Sequence, residues 1–448
     1  MNTIFAQCSA YGKAGVSVFR ISGPSAHHAL QQLIDIDISK LLPRTLYYKK
    51  IYNKKNKSII DEAMVVFFEK GFSFTGEESV EIYTHGSLAV IKLMNEILIS
   101  FDDLRLAEPG EFARRSFLNG KMDLTSAEGL ADLIDAETEM QHKQAINQLG
   151  GSLLKIYDNW RKNLLELIGL IEAYIDFPDE DIPISTVSLV NDLVQKLINE
   201  IRVHLDDGNR GERLRNGIKL AIIGKPNVGK SSLLNYLMRR EIAIVSDIAG
   251  TTRDVIEGHL DIGGFPIILQ DTAGIRSHTQ DLIEQEGISR AFRVAKNSDI
   301  KIIILDASKC ESIKENIEEF TNLIDDNTII LANKIDMLNQ VLNTQFDQYP
   351  IINISIKKEH NMDILMNKIE EIAKKIASPT ESPQITRARH RAQLEKAMEY
   401  LSMFSLQEDL VLAAEDLRMT MRSISNITGK ITVDEILGEI FSNFCIGK

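Results

Sequence analysis

The sequence predicts a multidomain protein mixing the α/β and α+β classes. A short apolar strand near the middle of the chain runs into a glycine-rich loop with phosphate-binding spacing. Alternating strands in the first quarter are interrupted by polar residues. Long helical periodicities flank the central segment on both sides. The economical architecture has an N-terminal α+β domain (1–119) and a helical bundle domain in two parts (120–215 and 374–448). A P-loop domain (216–373) is inserted between those two parts.

In the N-terminal segment, Val16–Ile21, Met64–Phe68 and Val80–Tyr83 read as strands. Ser87–Ser100 reads as a helix with Val90, Leu93, Met94 and Ile97 on one face. The lysine-rich stretch Lys49–Lys57 reads as a solvated turn, and Ser73-Phe74-Thr75-Gly76-Glu77 as a turn containing an aromatic. Arg20 lies inside the first strand and Glu81 inside the third. They are either an outward-facing strand pair or groups that hold a ligand, and spacing alone does not choose. His85 reads as structural.

From Lys121 the pattern turns helical. Thr125-Ser126-Ala127-Glu128 has the form of a capping box. Leu130, Leu133, Ile134, Met140, Ile146 and Leu149 then recur at helical spacing. Gly150-Gly151 interrupts, and Leu153–Ile175 resumes. The acidic stretch Phe177–Pro183 reads as a solvated loop, and Val187–Leu205 as another amphipathic helix. Asp206–Asn216 and Ala377–Pro383 read as linkers bracketing the inserted domain. Beyond them lie expected helices through Phe404, from Glu408 to Ser425, and from Val433 to Phe444. Thr386–Arg391 is the densest basic cluster, either a solvated helix start or a surface for RNA or a partner.

The insert carries the chemistry. Leu220–Ser232 reads LAIIGKPNVGKSS, with Gly224, Gly229, Lys230 and Ser231 in the G-x-x-x-x-G-K-[ST] spacing. Glycines let the backbone turn tightly and aim its N–H groups at phosphate oxygens, as do the amides at a helix N-terminus. Asn227, Val228, Gly229, Lys230, Ser231 and Ser232 are the expected phosphate contacts, with Lys230 on the β- and γ-phosphates and Ser231 on Mg²⁺. A second strand, Ile267–Gln270, ends in Asp271-Thr272-Ala273-Gly274. Its acidic residue suits the metal's outer shell, and the Gly274 amide could sense a γ-phosphate. Lys301–Leu305 and Thr328–Leu331 read as buried strands, the latter running into Asn333-Lys334-Ile335-Asp336. A carboxylate at Asp336 can accept from N1–H and the 2-amino group of guanine, donors that adenine lacks. Gly250-Thr251-Thr252-Arg253-Asp254 could hold a threonine on Mg²⁺. The combination predicts a Ras-like P-loop GTPase domain.

Composition sets bounds. With 448 residues and 44% hydrophobic content the chain can bury several cores. A formal charge of −13 argues against a protein that coats nucleic acid, so no DNA partner is expected, while a local basic patch for RNA stays open. Cys8, Cys310 and Cys445 are odd in number and widely spaced, which fits a reducing compartment. With no apolar run of transmembrane length and no targeting pattern at the N-terminus, a cytoplasmic protein without membrane attachment is expected. The tail Phe444-Cys445-Ile446-Gly447-Lys448 does not suit prenylation, and Cys445 is expected to be accessible and reactive.

Taken together, these motifs resemble the tRNA modification GTPase family called MnmE or TrmE. The marks are FRISG, SFTGE followed by VEIYTHG, EPGEFARRSFLNGKMDL, the inserted domain with DIAGTTRD and DTAGIR, and the terminal FCIGK. The resemblance implies an N-terminal domain that binds a tetrahydrofolate derivative, in its 5-formyl or 5,10-methylene form, and forms a homodimer. It further implies a flavin-dependent partner, MnmG or GidA, joined in a heterotetramer, and a tRNA substrate. The wobble uridine would receive an aminomethyl or carboxymethylaminomethyl group at its carbon 5. By resemblance, Arg20, Glu81, Lys121 and Lys448 match the folate-contacting positions, and Cys445 lies at that site.

Ile275 stands where many switch GTPases carry a water-orienting glutamine, and no arginine finger can be assigned. The resemblance implies a K⁺ ion in the finger's place, held by Asn227 and by oxygens of Ser246, Ile248 and Thr251. Thr252 would join Ser231 on Mg²⁺, and Asp247, Ala249 and Gly250 complete the nucleotide contacts. Glu284 would orient the attacking water, with Glu286 the weaker candidate; the bland alternative for Glu284 is a solvated helix residue. One rival reading is a regulatory switch GTPase of ribosome assembly. Another is a folate-dependent transferase with a vestigial nucleotide domain, which the intact Lys230, Ser231, Asp271 and Asp336 count against.

Overall fold

The computed structural model describes the chain except residues 1, 54, 177–183, 240–257, 271–291, 309–316, 339–344, 347–348, 381, 408, 431–436, 439, 442–443, 445–446 and 448. By its contacts the chain divides into two compact units. One comprises Met1–Ala131, Leu154–Arg161 and Arg422–Lys448, the other Asp132–Leu153 and Lys162–Met421.

The first unit is built on β1 (Thr3–Gln7), β2 (Ala14–Ser22), β3 (Tyr47–Asn53), β4 (Ser58–Phe68), β5 (Ser79–Gly86) and β6 (Leu104–Leu106), in spatial order β3-β4-β5-β2-β1-β6. Pairing is antiparallel apart from β1 with β6. Strand alternation sends Phe19, Ile21, Val80 and Ile82 into a core shared with the apolar stripes of α1 (Ala26–Leu33) and α2 (Leu88–Ile99). The intervening residues Arg20, Glu81, Tyr83 and His85 are left on the opposite face. The expected turn at Lys49–Lys57 is corrected: through Asn53 this stretch is β3. Ile51 is buried in the core while Tyr48 and Lys50 point outward, so a period of two is hidden behind the lysines.

Helices α3 (Glu111–Leu118) and α4 (Leu124–Asp135) complete this unit with the C-terminal segment. Ala113, Leu124 and Ala127 pack with Leu437, Phe441 and Phe444. A Cβ on Gly110 would stand 2.4 Å from the Phe441 carbonyl oxygen, so only glycine permits this approach. The capping box expected at Thr125 is also corrected. Asp123 caps α4, accepting from the Thr125 amide at 2.8 Å and the Thr125 hydroxyl at 2.5 Å. Thr125 and Glu128 are buried instead. The helical run ahead is broken, and a genuine capping box, Thr138 with Gln141, opens α5 (Glu139–Leu149).

The second unit contains α5, most of α6 (Ser152–Asp176), α7 (Ile184–Leu205) and α8 (Arg210–Asn216), then a seven-stranded sheet. Its strands are β7 (Ile218–Ile223), β8 (Gly258–Ile262), β9 (Phe265–Gln270), β10 (Ile300–Asp306), β11 (Thr328–Asn333), β12 (Gln345–Phe346) and β13 (Tyr349–Asn353), in order β12-β13-β11-β10-β7-β9-β8. The five inner strands are parallel, and β8 and β12 are antiparallel edges. Near-continuous Ile and Leu in β7, β10 and β11 fit a sheet covered on both faces. One face packs on α9 (Lys230–Arg239) and the helix Met362–Ala377. Helices Ala388–Met403 and Leu410–Thr428 follow.

The linker expected at Asp206–Asn216 holds helix α8 from Arg210 onward. Leu214 is fully buried, and Gly211 lies so close to the Ile385 carbonyl that a Cβ would stand 2.3 Å away. In the basic cluster Thr386–Arg391, Arg387 and Arg391 are turned onto carboxylates of the chain itself. Arg387 pairs with Asp132 at 2.7 Å, Arg391 with Asp207 at 2.7 Å and Glu212 at 3.3 Å, and Thr386 donates to Gln148 at 2.9 Å. These contacts join residues from before and after the inserted sheet.

Candidate functional site

The phosphate loop lies between β7 and α9, at the C-terminal end of a central parallel strand, where open α/β sheets bind ligands. Its backbone needs its glycines. At Gly224 a Cβ would stand 2.3 Å from the Ile304 carbonyl oxygen, and at Gly229 2.4 Å from Asn333 Nδ2, both at positive φ. Asn227 is also left-handed, with φ of 63°. The Lys230 ammonium donates to the carbonyls of Gly224 and Lys225, each at 2.7 Å, and so spans its own loop. Burial pushes its pKa below the ordinary lysine value. Ser231 and Ser232 stand on the first turn of α9.

The base-reading residues close on that loop from the end of β11. Buried Asn333 donates to the Val228 carbonyl at 2.9 Å and accepts from the Ile356 amide at 3.2 Å. Lys334 donates to the Asn227 carbonyl at 2.7 Å and pairs with Asp306 at 2.6 Å. Asp336 accepts from the Ser355 hydroxyl at 2.6 Å, and this bond holds its carboxyl below the ordinary aspartate range. Asp336 is therefore an oriented, ionised acceptor. Ser355, Ile356 and Asp306 were not singled out from the sequence. The available signal was Ser355-Ile356 following a strand, β13, next to β11 in the sheet.

In the first unit, Arg20 and Glu81 are Cα partners across β2 and β5, with a 3.0 Å ion pair. The Arg20 guanidinium lies over the rings of Phe74, at 5.0 Å, and Phe112, at 5.5 Å. Glu81 also accepts from the Tyr83 hydroxyl at 2.6 Å. Burial, then the bond to Glu81, pushes the Tyr83 phenol up to about 12. A half-buried cation and carboxylate thus sit against aromatic walls. Lys121 donates to the Gly71 carbonyl at 2.8 Å, across the turn that carries Phe74. A Cβ on Gly447 would be 2.4 Å from the Gln7 carbonyl oxygen and 3.0 Å from the Cys8 Cα. Gly447 therefore lies on the end of β1, beside the strand bearing Arg20.

Below the site is a charged network that sequence reasoning missed. Arg115, almost fully buried, pairs with Glu77 and Glu111, each at 2.9 Å. Glu77 also accepts from Ser22 at 2.8 Å, and Ser22 meets buried Thr75 at 2.7 Å. The SFTGE turn thus fixes Phe74 in place. Burial would raise the Glu111 pKa, but bonds from Arg105, the Glu108 amide and Arg115 outweigh it and hold it at about 2. His85 bonds Asp61 through Nδ1 at 2.8 Å and its amide at 2.7 Å, in keeping with a structural role.

Several expected site residues lie outside the described residues: Ser246, Asp247, Ile248, Ala249, Gly250, Thr251, Thr252, Asp271, Thr272, Ala273, Gly274, Glu284, Glu286, Cys445 and Lys448.

The glycine-rich loop, tied by Asn333 and Lys334 to the segment that orients the Asp336 carboxylate, defines a P-loop protein of the nucleotide-binding class. Comparison with known proteins makes this specific. Residues 3–121 match the family model for the GTP-binding protein TrmE N-terminus, and residues 124–445 match that for the MnmE helical domain. The tRNA modification GTPase MnmE of Rickettsia akari (strain Hartford) is 56% identical over 450 residues, covering 100% of both chains. Those of Rickettsia canadensis (strain McKiel) and Rickettsia prowazekii (strain Madrid E) are 57% and 55% identical over 451 residues, again covering 100% of both chains. The chain belongs to the MnmE family of tRNA modification GTPases.

Proposed function

We propose that this chain hydrolyses GTP in the service of tRNA modification, at carbon 5 of the wobble uridine. The observation that supports the GTPase reading is the Asn333 bridge, which ties the end of β11, ahead of Asp336, to the phosphate loop. Full-length identity to relatives named tRNA modification GTPases supports the biological setting.

The residues fit the nucleotide. Gly224 and Gly229 permit the close packing against Ile304 and Asn333 that shapes the loop, and the Lys230 ammonium is free to exchange its loop carbonyls for phosphate oxygens. Lys230 would neutralise charge on the β- and γ-phosphates, the α9 amides would add oriented donors, and Asp336 would select guanine. Mg²⁺, on Ser231 and Thr252, would bridge and neutralise phosphate oxygens. Asn227 is suited to a K⁺ site because Lys334 holds its carbonyl, its backbone is left-handed and the residue is exposed. Ser246, Ile248 and Thr251 would supply the other oxygens, and Glu284 would orient the water.

In the N-terminal unit, Arg20, Glu81, Tyr83, Phe74 and Phe112 fit a ligand with a flat ring and charged ends, the chemistry of a reduced folate. Lys121, Lys448 and Cys445 belong to the same proposal. It includes a homodimer, an MnmG-type flavoprotein partner, cytoplasmic action, and the segment boundaries 1–119, 120–215, 216–373 and 374–448. The described helices include none long and apolar enough to cross a membrane.

The first test is GTP hydrolysis by the purified chain in K⁺ and in Na⁺ at equal ionic strength. Strong acceleration in K⁺ is expected; equal slow rates would remove the K⁺ mechanism and favour the regulatory-switch reading. Nucleoside analysis of tRNA incubated with the chain and the flavoprotein tests the modification itself.

A further inference from the structure

Helix α5 belongs by sequence to the helical segment, yet it grips the nucleotide domain at one place. The Met140 amide donates to the Gly264 carbonyl at 3.2 Å, at the tip of the β8–β9 hairpin. The Met140 side chain packs on the core of the nucleotide sheet. Glu137, just ahead of α5, pairs with His259 of β8 at 3.0 Å. The hairpin tip is tied within itself: the Gly264 amide donates to Asp261 at 2.8 Å, and Gly264 has a φ of 85°.

The same helix grips the segment that feeds the phosphate loop. Gln141 and Gln144 donate to the carbonyls of Arg215 and Gly211 in α8, both at 3.1 Å. From α8 the chain runs within two residues into β7 and then the loop. Arg213 fixes α8 to Asp299 at 2.7 Å, and Asp299 also accepts from the Lys219 amide of β7 at 3.0 Å.

The hairpin's place in the chain gives this grip its meaning. β8 begins four residues after the Gly250–Asp254 motif, and β9 ends at Gln270, immediately before Asp271. Any displacement of either motif would be passed to a hairpin whose tip α5 holds. Backbone strands transmit such displacements because their ladder bonds resist stretching.

We propose that α5 is a nucleotide-state reader, with Glu137 and Met140 as positioning residues that act on GTP hydrolysis through the β8–β9 hairpin. This rests on the GTPase reading above. Neither residue touches the nucleotide. The pair at His259 orients the hairpin, and the Met140–Gly264 bond passes its position to α5 and, through Gln141 and Gln144, to α8.

The test uses the full chain loaded with GDP or with a non-hydrolysable GTP analogue, binding being followed by fluorescent nucleotide titration. Hydrogen exchange at the Met140 amide is expected to differ between the two nucleotides. Glu137→Gln is expected to change kcat by roughly two- to fivefold, the range for a partly exposed polar pair, with KM for GTP unchanged. The exchanged pair Glu137→His with His259→Glu should restore the parent kcat, which a merely structural role would not require. Identical Met140 exchange in both nucleotides, or an unchanged kcat in Glu137→Gln, overturns the proposal while leaving GTP binding intact. Failure of the parent to bind guanine nucleotide overturns the GTPase reading and this proposal with it.

Discussion

Replacing Asn333 with alanine tests whether the guanine-reading loop and the phosphate loop act as one site. The amide makes two buried bonds, donating to the Val228 carbonyl at 2.9 Å and accepting from the Ile356 amide at 3.2 Å. Removing it leaves a buried acceptor and a buried donor without their partner. At about 1 kcal/mol for each bond, the loss is about 2 kcal/mol. Both orphaned groups lie at the proposed nucleotide site, one in the phosphate loop and one beside Ser355, which orients Asp336. The loss should therefore appear mainly in nucleotide affinity, as roughly 30-fold weaker GDP binding. Fluorescent GDP titration measures it, and thermal unfolding without nucleotide confirms that the variant still folds. A GDP affinity within about threefold of the parent, in a folded variant, would refute the reasoning, since a 0.6 kcal/mol effect is too small for two buried bonds.

Three further outcomes are expected. Asn227→Ala should lose most of the K⁺ acceleration of GTP hydrolysis while still binding GDP, measured as phosphate release in K⁺ and Na⁺. Arg20→Ala removes the cation between Phe74 and Phe112 and leaves the half-buried Glu81 carboxylate paired only with Tyr83. Calorimetry with a reduced folate should show binding to the parent and at least a tenfold weaker affinity in the variant; no binding to the parent would remove the folate proposal. Glu111→Gln should destabilise the N-terminal unit by roughly 3 kcal/mol near neutral pH, the low end for breaking a buried ion pair, since Arg105 stays solvated. The Glu111 pKa is lowered from 4.5 to about 2, so its stabilisation is present above about 4.5 and is lost as the pH falls toward 2. Urea unfolding of parent and variant should therefore converge as the pH falls through that window.

The phosphate loop was legible in the sequence because its chemistry is local. Glycines, a lysine and a serine within a few residues dictate a backbone turn whose purpose follows from its own N–H groups. The β7, β9, β10 and β11 runs were legible because strands buried on both faces are uniformly apolar. Asp336 was legible by its motif, whereas Ser355, which orients it, was not. The two are brought together only when β13 pairs with β11. The lysines of β3 and the polar letters of α8 concealed regular elements, because what stabilises those elements is burial of Ile51 and Leu214 against distant residues.

By itself the sequence determined the class of nucleotide, the position of the phosphate loop, and the order of sheet and helix along the chain. These follow from short-range rules of backbone geometry and side-chain periodicity. Only the tertiary structure decided that Arg20 faces Glu81 between two aromatic rings. It also decided that Arg387 and Arg391 are spent on Asp132, Asp207 and Glu212, and that α5 holds the β8–β9 hairpin. Each of those contacts joins residues far apart in the chain. Their partners depend on strand pairing and helix packing, which no local spacing encodes.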